Sequence, residues 1–154
     1  MKPMKVANIV CLAASVLFGS ASGYPPTAPQ RADTLIMVAN KNNSAAAKMN
    51  KNDIKRLLLG QTTTWPDGGR VAIVLENVGS PERALVLQKV CGMNEAEFTR
   101  HNLQASFMGD NVAYVIPAAS SAAIRSLIKS NPSAVGFLRP GDLDENVKPV
   151  WQVD

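Results

Sequence analysis

Arg70 to Glu82 reads RVAIVLENVGSPE, and the order of its parts decides the fold class. The run Arg70 to Leu75 is short and almost wholly apolar, with no alternation, so it reads as a strand buried on both faces. A turn then ends at Ser80-Pro81, with serine in the cap position, proline at the first helical position, and Glu82 in the first turn, where a negative charge suits the helix dipole. Leu85, Val86 and Val90 give that helix an apolar face, and Gly92 ends it. A buried strand passing into a capped helix is the repeating step of an α/β domain.

The same alternation continues on both sides. Upstream, Thr34 to Ala39 (TLIMVA) reads as another buried strand, followed by a polar, basic loop from Asn40 to Asn43. Asn52 is expected to cap a helix carrying Ile54, Leu57 and Leu58 on one side and stopping at Gly60. Gln61 to Gly69 (QTTTWPDGG) is a loop with a Pro-Asp-Gly-Gly turn and Trp65 as a packing anchor. Downstream, Asn94 and Glu97 have capping-box spacing and open a helix to about Met108. Asn111 to Ile116 (NVAYVI) is a third strand, and Ser120 or Ser121 begins a helix with Ile124, Leu127 and Ile128 on one face. Ala134 to Leu138 (AVGFL) is a fourth strand, and Val147 to Val153 a C-terminal edge strand, because Pro149 bars a central place. The expectation is a three-layer αβα domain around a mixed sheet of about 4–5 strands.

The first 23 residues, MKPMKVANIVCLAASVLFGSASG, have the three parts of a cleavable signal peptide: a basic start at Lys2 and Lys5, an apolar stretch from Val6 to Phe18, and small residues to Gly23. Cleavage fits after Ser22 or after Gly23. The apolar run is shorter than the ~20 residues of a membrane span. Tyr24 to Ala32 reads as a proline-rich tether, which leaves 33–154 as one domain in a periplasmic or secreted location. The precursor has 16 basic and 12 acidic residues; without Lys2 and Lys5 the balance is 14 to 12, too even to imply a nucleic-acid partner. Cys11 leaves with the signal, so Cys91 has no internal partner and reads as a buried, inert thiol.

Taken in order, LLLGQ (Leu57 to Gln61), Trp65 with the Pro66 to Gly69 turn, the strand Val71 to Val74, the Ser80 to Glu82 helix start, and NPSAVGF (Asn131 to Phe137) resemble the type 2 periplasmic binding proteins, in particular the phosphate-binding component of phosphate ABC transporters. The resemblance covers about Asp33 to Leu138. It implies a non-enzymatic, solute-binding fold and a small-anion ligand held at the Ser80 helix start, with Gly79, Ser80 and Arg83 as ligand-binding candidates. Thr62, Thr63 and Thr64 join them if their loop lines the ligand edge of the sheet. Two departures matter. The chain is long enough for one lobe only, whereas the family closes two lobes on its ligand. Glu76 falls where the family has an arginine, Pro81 lacks an N–H, and Glu82 replaces a threonine, so two carboxylates would repel an anion there. Arg83 either offsets them or pairs with Glu82.

Other chemistry is weakly signalled. His101 has no nucleophile paired with it and reads as a solvated surface residue. Asp142, Asp144 and Glu145 lack the ligand spacing of a calcium loop, and no metal or nucleotide motif occurs, so no cofactor is expected. Lys48, Lys51, Lys55 and Arg56, with Lys41 nearby, form a basic segment opposed only by Asp53, a candidate docking surface for an acidic partner or an anionic membrane surface. Two functions follow: an envelope interaction or accessory module, which the acidic Glu76 favours, or a binding protein for phosphate or another small anion serving a transporter or sensor, which the Ser80 cap favours.

Overall fold

The computed structural model describes residues 34–153; the expected signal peptide (1–23) and tether (24–32) lie outside them. Five strands form one mixed sheet in the order β3-β2-β4-β1-β5. They are β1 (Leu35–Asn40), β2 (Ala72–Glu76), β3 (Val115–Ala118), β4 (Ala134–Leu138) and β5 (Val147–Val153). β2 runs parallel to β3 and β4, whereas β1 is antiparallel to both β4 and β5. The α-helices among the described residues are α1 (Lys51–Leu58), α2 (Pro81–Val86), α3 (Glu95–Met108) and α4 (Ser121–Ser130).

Two cores lie on opposite sheet faces, and period-2 alternation sorts the strand residues between them. Met37, Ile73, Leu75, Val135 and Phe137 pack with Ile54, Leu57, Leu58, Val86, Leu87 and Phe98 from α1, the α2 segment and α3. Val38, Val74, Ala134 and Leu138 pack with Ile124 and Ile128 of α4 on the other side. This division follows from topology. The step from β2 to β3 and the return from β3 to β4 run in opposite directions along the sheet, so right-handed crossovers require their helices on opposite faces. The expected three-layer αβα architecture with a mixed sheet is therefore observed, and β5 takes the edge that Pro149 requires.

The local expectations shift in three places. α1 is capped by Asn50, not Asn52: the Asn50 side chain accepts from the Asn52 and Asp53 N–H groups, while Asp53 accepts from the Asn50 N–H. β3 begins at Val115, four residues later than Asn111. The polar loop expected at Asn40 to Asn43 is a brace. Asn40 ends β1 and donates to the Ile128 and Lys129 carbonyls at the end of α4, and buried Asn43 donates to the Pro132 carbonyl and accepts from the Ala46 N–H. A short 3-10 turn, Ala45–Lys48, then leads to α1.

α2 is a helix of six residues that widens into a π-helical turn, Leu87–Cys91, before left-handed Gly92 ends it. Leu87, Val90 and Cys91 are thereby turned into the core. Burial pushes the Cys91 thiol up to about 11, so it is protonated at neutral pH.

Gly136 lies where β4 meets α4. A Cβ there would stand 2.8 Å from Ile124 Cγ2 and 3.0 Å from Ile128 Cδ1. Gly136→Ala is expected to cost about 1–3 kcal/mol by overpacking, read as a lowered urea midpoint with an unchanged slope.

Candidate functional site

The carboxyl ends of the three parallel strands β2, β3 and β4 meet at one rim of the sheet, which is where open α/β sheets bind ligands. β2 ends in Glu76; Ser80 follows and caps α2, its Oγ accepting from the Arg83 N–H at 3.1 Å. β3 leads to Ser120, which caps α4 by accepting from the Ala123 N–H at 3.2 Å. β4 is followed by Arg139. Between them is a cavity of about 220 Å³ lined by Glu76, Glu82, Ser120, Ser121, Phe137, Leu138, Arg139 and Asp142.

The charges in this cavity are mostly engaged with one another. Arg139 donates through Nε (2.9 Å) and Nη2 (2.6 Å) to the same oxygen of Glu82, and both side chains are only about a fifth exposed. Glu76 lies beside Glu82. Burial raises the Glu76 carboxyl above the usual range, and the charge of Glu82 and a hydrogen bond to it add to the effect. At Glu82 burial acts in the same direction, but the hydrogen bonds and charge of Arg139 overcome it and hold this carboxyl low. Environment thus moves two neighbouring carboxyls in opposite directions, Glu76 upward and Glu82 downward. Asp142 adds a third carboxylate, 4.0 Å from Arg125 Nη1.

The chain therefore supplies its own anion to the site. Arg139 meets a carboxylate where an external anion would seek it, and any such anion also meets Glu76. Raising the pH makes this worse, because Glu76 then ionises beside Glu82. A carboxyl whose folded pKa is raised stabilises the fold below its unfolded pKa, and that contribution is lost as pH rises through the folded pKa. Glu76→Gln, which keeps the neutral shape, is expected to match the wild type near pH 4. It is expected to exceed it by up to ~1 kcal/mol at pH 8, because solvent screens a partly exposed pair. Chemical denaturation across that range measures the difference, and a gap that is constant with pH would contradict the coupling.

Other residues named from the sequence are placed apart. Ser80 and Gly79 stand at the rim, and Gly79 has φ +95°. Arg83 does not face it: its guanidinium is buried and forms two 2.8 Å bonds to Glu95 and one of 3.3 Å to the Glu76 carbonyl. Both expected roles of Arg83, anion ligand and partner of Glu82, are thus replaced by a structural tie between α2 and α3. Thr62, Thr63 and Thr64 lie at the opposite end of β2, where the Thr63 carbonyl accepts from the Val71 N–H and Thr64 bridges to Arg70. The structure does not bring them to the rim with Ser80. Trp65 is buried and donates to the Ser133 carbonyl at 3.0 Å. His101 is half-buried rather than solvated, and its Nε2 lies 3.2 Å from the Leu59 carbonyl at the end of α1. Asp142 and Asp144 pair with Arg125. Lys48, Lys51, Lys55 and Arg56 are exposed.

Arg139 was missed by the sequence reading, although the residue just beyond a parallel strand's carboxyl end is where a ligand group is sought. Among the described residues no cluster of His, Cys, Asp and Glu could hold a metal ion, and no helix is long and apolar enough to cross a membrane.

No family model matches the chain, and no curated protein matches it. Solved structures do. An ABC-type phosphate transport receptor from Vibrio cholerae is 22% identical with a TM-score of 0.52, over 75% of this chain and 44% of that one. A Clostridium perfringens structure solved with bound phosphate is 21% identical with a TM-score of 0.60, over 75% and 43%. PstS from Borrelia burgdorferi is 9% identical with a TM-score of 0.59, over 76% and 46%. The chain spans less than half the length of each. Its fold is that of a single lobe of the periplasmic-binding-protein class, as in the phosphate ABC transporter substrate-binding proteins it resembles.

Proposed function

We propose that the chain is an exported, non-enzymatic interaction or accessory module of the cell envelope, built on a periplasmic-binding-protein-like lobe whose anion site is closed by its own side chains. The observation that carries this reading is the Glu82–Arg139 pair with Glu76 beside it. The site's one cation is already neutralised, three carboxylates line the cavity, and a ligand there would stay open to water. Docking falls to the exposed basic segment Lys48, Lys51, Lys55 and Arg56. Lys51 and Lys55 are one helical turn apart, and such like-charged pairs cost a helix ~0.2–0.5 kcal/mol unless an acidic surface offsets them. Residues 1–23 direct export, 24–32 tether the domain, and 33–154 form it.

A second reading, a solute-binding protein for phosphate or another small anion, is supported by the phosphate-binding names of its structural neighbours and by Ser80, Ser120 and Arg139 at one rim. Calorimetry with inorganic phosphate at neutral pH separates the two. No saturable heat is expected for the wild type, whereas Glu76→Gln/Glu82→Gln, which frees Arg139, gains at least ~10-fold in affinity, about 1.4 kcal/mol. Micromolar phosphate binding by the wild type, lost in Arg139→Ala, would replace the first reading with the second.

A further inference from the structure

We propose that the outer face of α3 is a self-association surface, on which the helix pairs with the same helix of a second copy. α3 has 14 residues, of which only Phe98 is fully buried. Its opposite side carries Leu103 (54% exposed) and Phe107 (89%), and Met108 (78%) stands exposed beside them at the helix end. Leu103 and Phe107 are four residues apart and therefore on one stripe, which Ala96, Thr99 and Arg100 continue toward the N-terminus. Single exposed apolar residues are ordinary, but a helical stripe ending in a nearly naked phenylalanine is the pattern of a contact surface.

The occupant follows from area and charge. Three side chains of roughly 150–250 Å² at these exposures leave about 400 Å² of apolar surface. Pairing the face with itself buries about twice that, and the flanking Ala96, Thr99, Arg100 and Gln104 bring the total past the ~1,000 Å² that a specific interface needs. At one end of the stripe the exposed side chains, Ala96 and Thr99, are small, and at the other Phe107 projects into solvent. Two antiparallel copies related by a two-fold axis near Leu103 would seat each Phe107 over the small Ala96 and Thr99 of the other, the self-complementary arrangement of an isologous dimer. Exposed Arg100 and Glu97 give this side one charge of each sign, so an identical face is not repelled and a strongly acidic or basic partner is not selected.

Sedimentation equilibrium of the purified chain over about 1–100 μM tests this, with a dimer expected within that range. Phe107→Glu and Leu103→Asp, at side chains more than half exposed, are expected to raise the dimer dissociation constant at least ~30-fold while leaving circular dichroism and the urea midpoint of the monomer unchanged. Lys51→Glu/Lys55→Glu, on α1, is expected to leave the dimer intact, which separates this surface from the basic docking segment. A monomer throughout the range, or a dimer that persists in both α3 variants, would overturn the proposal.

Discussion

Gly60→Ala is expected to destabilise the domain by about 3 kcal/mol, a large share of the ~5–15 kcal/mol that holds a domain folded. Two costs add at this position. Gly60 has φ +74°, where a side chain crowds its own carbonyl and costs ~1–2 kcal/mol. A Cβ would also stand 2.6 Å from the Asn111 carbonyl oxygen, 2.8 Å from the Ala113 nitrogen and 2.9 Å from the Val112 Cα. All three are backbone atoms that cannot rotate away, so the chain leading into β3 must shift, at about 1–3 kcal/mol more. Gly92→Ala is the matched control, because Gly92 has φ +71° and nothing within 4 Å of a Cβ. It is expected to show the conformational cost alone, about 1 kcal/mol. Urea unfolding of the two variants side by side reads the difference, and equal losses would show that the close approach carries no energy.

The same contact explains why β3 was placed too early by the sequence. Asn111 to Ile116 has the composition of a strand, and nothing local signals that Asn111 to Ala113 pack under the end of α1. Only when Tyr114 accepts from the Ile73 N–H does the chain join the sheet. The strand β4 and the helix α3, whose signals are a continuous apolar run and a complete capping box, were legible, as was β5, whose Pro149 marks an edge. α1 was legible except for its cap, where Asn50 with Asp53 at the reciprocating position outweighs Asn52; that N-x-x-D spacing was available to be read. The site was less legible, because its pairs join residues distant in sequence. Glu82 meets Arg139 across 57 positions and Arg83 meets Glu95 across 12, and neither choice of partner leaves a local mark. What the sequence did carry was the acidic substitution at Glu76 and Glu82, which was enough to doubt an anion ligand before the guanidinium that neutralises Glu82 was known.

Phe98→Ala is expected to be the costliest single truncation on α3, about 3–4 kcal/mol, because the helix has no other fully buried side chain. Its remaining ties are polar and lie toward one end: Glu95 to Arg83, and His101 to the Leu59 carbonyl. Glu95→Ala, which strands the buried Arg83 guanidinium, is expected to cost about 2 kcal/mol, less than a fully buried pair because Glu95 is 31% exposed. Hydrogen exchange distinguishes global from local damage. With Phe98 removed, the α3 amides are expected to exchange through opening of the helix alone, while those of β1, β2 and β4 keep their protection, since their core is shared with α1 and α4. If strand protection falls in step with that of α3, the helix is part of the cooperative core and not an element laid upon it. The distinction bears on association as well. A helix anchored by one phenylalanine gains from being clasped on its outer face, so Phe98→Ala is expected to lose more stability at low protein concentration than at high.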